Sequence, residues 1–415
     1  MTPAKLAVEQ TARDSYGRLL AWLATRCGDL TLAEDALGDA LTRALETWPS
    51  NGVPASPEAW LLTAARRKVV DRVRRRQTRL RSADALRHAR QLRLDATEAV
   101  DSPFSRTLPD RRLELMFACA HPHIPPEIRA PLMLQTVLGL DATRIASALL
   151  VRPATLAQRL VRAKRDIKAR GIAFAIPEAE ELPARLAAVL DAIYAAFGTG
   201  WAAWPDGEGS ELRGLAVEAI WLGQLTVRAL PKEPEALGLL ALMLLSEARR
   251  PARRAADGSF VPIEEQDPTL WDPALLLEGE KALWLAAQQL RGGPYQLEAC
   301  IQSVHADRAR TGLTDWARIE ELYGFLVDRY PSTGARVGRA AALGRTGRPT
   351  DGLATLDAIP DGIAQRHQPY WAVRAWLLRG LERTDEALEA YARAIGLTED
   401  PAARSWLIAQ REQVN

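Results

Sequence analysis

The sequence predicts an all-α protein of several domains, and three observations carry that reading. Nearly every periodic stretch repeats its apolar residues at three- and four-residue steps, the spacing of one helix face. No run alternates β-branched and polar residues as a half-buried strand does. At 415 residues the chain is also too long for one ordinary core.

Composition narrows the class. With 47% hydrophobic and 26% charged residues, the chain has the balance of a globular protein and is not disordered throughout. Cys27, Cys119 and Cys300 lie too far apart to be a disulfide framework and fit a reducing compartment. Met1 to Gln10 has no apolar core, and the longest apolar run, Leu237 to Leu245, falls well short of the ~20 residues that span a bilayer. A cytoplasmic protein without membrane association is the expectation. Net charge is only +2, but residues 1–176 hold 29 basic and 18 acidic residues, leaving 25 basic and 34 acidic in residues 177–415. A front half at +11 suits a polyanion partner, and a rear half at −9 does not.

In chain order, the first helices span residues 14–47, with Leu19, Leu20 and Leu23, then Leu32, Ala36, Leu37, Leu41 and Leu45 inward. Asp29 or Thr31 can cap the second of them. The turn NGVPASP, Asn51 to Pro57, interrupts the helices. Trp60 to Arg76 resumes with an apolar stripe of Leu61, Leu62, Ala65, Val69 and Val73, and its other faces carry Arg66, Arg67, Lys68, Arg72, Arg74, Arg75 and Arg76. Residues 66–81 hold nine basic residues against Asp71, a density that favours a phosphate-rich partner. Glu34, Asp35 and Asp39 form an acidic face on the preceding helix.

Residues 81–110, polar and broken by Ser102-Pro103 and Leu108-Pro109, read as a linker. Helices resume at Leu113–Ala120 and, after Pro122, Pro125 and Pro126, at Glu127–Leu138. A short helix Ala142–Leu150, a turn Val151–Pro153 and a long basic helix Ala154–Arg170 then form a helix-turn-helix. Leu156, Leu160, Ala163 and Ile167 face inward. Arg152, Thr155, Gln158, Arg159, Arg162 and Arg165 point elsewhere; Gln and Arg at the start of such a helix suit base edges, and Arg further along suits phosphates. Pro177 to Pro183 marks the next boundary.

The rear half is helical throughout, with helices at Leu186–Phe197, Leu212–Leu230, Pro234–Arg249, Pro273–Gln289, Tyr295–Ala306 and Asp315–Arg329 and more to Gln413. Gly352, Leu353, Leu356 and Ile359 recur 35 residues later as Ala387, Leu388, Tyr391 and Ala394, close to the period of tetratricopeptide (TPR) helix pairs. The usual turn glycine is displaced: Gly380 comes early, and Glu382 stands where the glycine belongs.

The order DSYGRLLAWLATRCGDLTLAEDALGDALTRALETWP, then PEAWLLTAARRKVVDRVRRR, a linker and the helix-turn-helix resembles bacterial RNA polymerase sigma factors of the sigma-70 family. It is most similar to the extracytoplasmic-function (ECF) class, which keeps only regions 2 and 4 of that family. The later segments GLLALMLLSEARRPAR, DGSFVPIEEQDPTLWD and GPYQLEACIQSVHA resemble the ECF group with a long TPR-like C-terminal extension. The implied domains are region 2 at residues 1–80, a linker at 81–110, region 4 at 111–176 and a regulatory helical domain at 180–415. The resemblance implies that Glu34, Asp35 and Asp39 dock on the β′ clamp helices of core RNA polymerase, and that region 4 meets the β flap. It assigns Trp48, Asn51 and Ser56 to capture of a flipped −10 base. Arg66, Arg67, Lys68, Arg72, Arg74 and Arg75 go to −10 DNA, and the helix Ala154–Lys168, with Arg152 before it, to the −35 element. Gly38 stands where glutamine is common in the docking helix, and Arg67 where asparagine is common in the melting helix.

The mechanism implied is free of catalysis, cofactor and metal. Capture of unstacked bases offsets the cost of opening the duplex. Of the two aromatics near that loop, Trp60 is expected in the core. Cys119-x-His121-x-His123 is too cramped for a zinc site and lacks a fourth ligand. Cys27 and Cys300 read as buried small hydrophobes. The alternative function is a helix-turn-helix transcriptional regulator with a TPR-like sensing domain, which leaves the acidic and basic helices upstream unexplained. A regulatory protein at the C-terminal domain, or packing of that acidic domain on the basic front, is the expectation for the rear half.

Overall fold

The computed structural model describes residues 3–79, 110–148, 152–202 and 214–414, so residues 81–109 of the expected linker, Leu149 and Leu150 at the end of the expected short helix and Val151 of the expected turn lie outside the described residues. The described residues are all helical apart from turns and one isolated bridge, Arg254 with Phe260.

The helices follow in order as α1 (Pro3–Cys27), α2 (Leu30–Asn51), α3 (Pro57–Arg79), α4 (Arg112–Cys119), α5 (Pro126–Leu138), α6 (Ala142–Ala148) and α7 (Pro153–Arg170). Next come α8 (Leu182–Ala202), α9 (Gly214–Ala229), α10 (Pro234–Glu247), α11 (Pro273–Ala287), α12 (Pro294–Ala306), α13 (Arg308–Thr311) and α14 (Trp316–Arg329). The chain closes with α15 (Thr333–Arg345), α16 (Pro349–Asp357), α17 (Asp361–Ala364), α18 (Gln368–Gly380), α19 (Thr384–Leu397) and α20 (Pro401–Glu412).

Their ends follow local chemistry. Of the two candidate caps for α2, Asp29 serves: its carboxylate accepts from the Leu32 N–H at 3.2 Å. Pro153 opens α7 at a position that needs no N–H, and Gly171 closes it in the left-handed region.

The chain forms two compact units. Of the described residues, the first holds those up to 202 together with 214–222, and the second holds those from 223 onward. This differs from the boundary at 180 that the Pro-rich acidic stretch predicts. Helix α8 joins the first unit because Leu186, Val189, Leu190, Ile193 and Phe197 bury a full apolar face there, packed on α4 and α5. The first half of α9 follows it: Arg112, almost fully buried, ion-pairs with both Asp110 and Glu218, and the Trp221 indole donates to Asp110 at 3.1 Å. Helix α8 is also, by length and composition, apolar enough to cross a membrane, although 44% of its apolar window is buried.

In the first unit α1, α2 and α3 pack on one another, α1 also packs on α4 and α5, and α7 packs on α2. In the second, α10 is buried along almost its whole length between α11 and α12. The Arg308 guanidinium fastens the loop before α11, donating to the carbonyls of Ile263 at 2.7 Å, Glu264 at 2.8 Å and Gln266. Helices α15 and α16 start 35 residues before α18 and α19, so the faint sequence repeat is a repeated helix pair. The turn inside each pair needs a left-handed residue. Gly347 supplies it at φ 79° in the first, and Glu382 takes φ 58° in the second, 35 positions on.

Candidate nucleic-acid interface

Helix α7 is two-faced. Leu156, Leu160, Ala163 and Ile167 are buried, as their spacing predicts. Arg152, Gln158, Arg159, Arg162 and Arg165 are exposed, and Thr155 is half-buried. None of these four arginines has an ion pair among the described residues, so their charge faces solvent. A third side of the same helix turns its lysines to α2. Lys164 Nζ lies 2.6 Å from Glu34, and Lys168 Nζ lies 2.5 Å from Asp29.

The three acids that the sequence places on one face of α2 therefore go to two neighbours. Glu34 meets Lys164 of α7; Asp35 meets Arg72 of α3 at 2.6 Å, and Asp39 meets Lys68 at 2.9 Å. Burial raises the Glu34 carboxyl above its ordinary value, with Lys164 opposing the rise. The Asp35 and Asp39 pairs are about half exposed, so each contributes little stability and exchanges readily.

On α3, Arg67 is exposed, while the Arg66 guanidinium lies over the Trp22 ring at 5.7 Å. Arg74 and Arg75 belong to the helix, but their side chains lie outside the described ones. The turn between α2 and α3 exposes Asn51 and Ser56, and Gly52 at φ 82° reverses the chain there.

Trp48 is a correction. Its ring is 2% exposed and meets Trp60 edge-on at 5.6 Å, so it is not free to stack on a base. The reason is register: α2 runs on through Pro49 to Asn51, and Trp48 continues the buried stripe Leu37, Ala40 and Ala44. Trp60, expected in the core, is only half-buried. The stripe was visible in the sequence; the turn residues that follow it hid the extra helical turn.

The Cys119-x-His121-x-His123 segment does not converge. Cys119 is fully buried with its thiol 3.8 Å from the Thr136 hydroxyl, whereas the two imidazoles stack on each other outside. Among the described residues no group of three or more His, Cys, Asp or Glu side chains is arranged to hold a metal ion. Cys27 is buried, and Cys300 is only half-buried. Sequence reasoning missed Lys164 and Lys168 and their pairing with Glu34 and Asp29. The i, i+4 spacing of the two lysines beside the apolar stripe was the available signal.

Comparison with known proteins matches these elements in part. Residues 12–79, which cover most of α1 and all of α2 and α3, match the Sigma-70 region 2 family. Residues 185–287, from α8 to α11, match a family of unknown function (DUF6596), and the match spans parts of both units. An uncharacterized protein of Rhizobium meliloti (strain 1021) is 35% identical over 413 residues, covering 99% of this chain and 95% of its own length. No solved structure matches the chain.

Proposed function

We propose that the chain is a sigma-70 family factor of the ECF type, binding core RNA polymerase and promoter DNA and carrying a regulatory C-terminal extension; the match of residues 12–79 to the Sigma-70 region 2 family supports this reading. The observation that carries the proposal is the outward face of α7, where arginines without ion partners among the described residues flank Gln158 and Thr155.

In this reading Arg152, Thr155, Gln158 and Arg159 meet base edges of the −35 element in the major groove, and Arg162 and Arg165 meet phosphates. Glu34, Asp35 and Asp39 dock on the β′ clamp helices, while the helix-turn-helix reaches the β flap. Asn51 and Ser56, exposed between α2 and α3, hold a flipped −10 base through hydrogen bonds. Arg66, Arg67, Lys68, Arg72, Arg74 and Arg75 track the −10 strands by charge. The contribution is positioning, with no chemical step and no cofactor.

The repeated pair α15–α16 and α18–α19 supports a TPR-like extension. A regulatory protein partner is assigned to that extension, and the DUF6596 segment links it to the promoter-binding part. The test is co-elution of the full-length protein with core RNA polymerase. A stoichiometric complex is expected; a chain that binds duplex DNA tightly and ignores polymerase is instead a helix-turn-helix regulator.

A further inference from the structure

The stacked imidazoles of His121 and His123, which do not converge on a metal, border a cleft of about 630 Å³ in the first unit. Its lining comes from three places: the turn after α4, the last turn of α7, and the stretch from Gly171 into the first turn of α8. Ile172, Ala175, Ile176 and Pro177 give the cleft apolar surface, while His121, His123, Arg170 and Arg185 give it hydrogen-bond donors. Arg185 is also the first residue of the DUF6596 match, so the cleft lies where the helix-turn-helix passes into that segment.

Arg185 is the unusual member of this lining. Its side chain is only 8% exposed, and its Nε is buried without a hydrogen-bond partner among the described residues. A guanidinium carries five donors, and a buried donor left unmet is costly. Glu181 does not meet the need: its carboxylate is more than half exposed and reaches only Nη2, at 2.6 Å. His121 supplies a second donor. Its Nδ1 accepts from the His123 backbone N–H at 3.2 Å, which leaves Nε2 to carry the proton and donate. Burial lowers the His121 imidazole below its ordinary value, with Arg185, His123 and Arg129 adding to the effect and Glu181 opposing it.

We infer that this cleft binds a small organic anion, its carboxylate or phosphate head on Arg185 and His121 and its apolar body against Ile172, Ile176 and Pro177. An anion brings acceptors to the unmet Nε–H and meets two guanidiniums, Arg170 and Arg185, against exposed Glu178, Glu181 being already on Arg185. A cation would find only those two exposed carboxylates and would leave the Arg185 donor unmet. The volume fits a metabolite-sized ligand, since such clefts run to roughly 300–1,000 Å³, and it exceeds what a bare inorganic ion fills. Bound there, the ligand ties the end of α7 to the start of α8. The site does not depend on what α2 or the outer face of α7 binds.

The test titrates the full-length protein with phenyl phosphate, benzoate, inorganic phosphate and benzylamine, read by ligand-observed NMR. Phenyl phosphate or benzoate is expected to bind with a Kd on the order of 1 mM, and the tighter of the two names the head group. Arg185→Gln should weaken that binding about ten-fold. Because Arg185 is buried, a second variant guards against loss of the fold: Ile176→Glu, at a residue 40% exposed, sets a negative charge in the cleft and should weaken the same binding about ten-fold. Four results overturn the site: neither aromatic anion binds, the folded variants bind it unchanged, benzylamine binds more tightly, or inorganic phosphate binds as tightly as phenyl phosphate.

Discussion

The outer faces of α3 and α7 in the first unit and the interior of the second use positive charge in opposite ways. In the first, Lys68, Arg72 and Lys168 pair with acids within reach of water, and the outer arginines of α7 have no ion partner among the described residues. In the second, cations are built into the interior. Arg308 is almost fully buried on three carbonyl oxygens, and Arg249, equally buried, donates to Leu245 O and to Gln302. Burial pushes the Arg249 guanidinium down to about 10, with Arg253 and Arg308 adding to the effect. His305, between these arginines and Trp316, is pushed down to about 3 by burial and by its cationic neighbours. A cation that must exchange partners stays where exchange is cheap, and a cation that staples a loop is neutralised by fixed dipoles.

Breaking a staple should have the largest effect. Arg308→Met leaves three loop carbonyls without their donor, and the second unit should lose about 3 kcal/mol or more, read as a lower denaturant midpoint for its transition. Changes on the exchanging side should spare stability and act on DNA. Arg159→Ala or Gln158→Ala should cost about 1–3 kcal/mol of promoter affinity and relax one −35 position, while Arg165→Ala should weaken all sequences alike and reduce the salt slope by about one. Competition binding against single-base promoter variants separates the two classes.

An effect that is smaller per pH unit sharpens the contrast through pH. His305 is depressed from 6.5 to about 3, so the unfolded chain takes up a proton below pH 6.5 that the folded one refuses. Its contribution is complete above 6.5 and is lost as pH falls toward 3, at up to about 1.4 kcal/mol per pH unit. Thermal melts of wild type and His305→Asn across that range check it; the variant should lack this part of the slope. The smallest effect is a gain. Glu382→Gly relieves the left-handed strain at the turn between α18 and α19 and should stabilise the second unit by about 0.5–1 kcal/mol in the same melts.

Much of this was legible in sequence because it is local. Helix periodicity, the Asp29 cap, the inward stripe of α7 and the odd residue at Glu382 each depend on neighbours a few positions away. What was not legible depends on distance along the chain. The acids of α2 and the cations of α3 and α7 were both visible, but nothing local pairs Glu34 with Lys164 instead of Arg72. Likewise α8 carries an apolar face that any core could take, and only packing on α4 and α5 assigns it to the first unit. Trp48 was misread for the opposite reason: the local turn signal after it outweighed the four-residue step from Ala44.

The most direct measurement is run-off transcription with the full-length protein and purified core RNA polymerase, mapping start sites across a genomic promoter library. Transcripts are expected to begin a fixed distance downstream of shared −35 and −10 elements and to be depleted by Arg159→Ala. Absence of any added transcript, together with tight duplex binding that needs no polymerase, would contradict the sigma-factor reading.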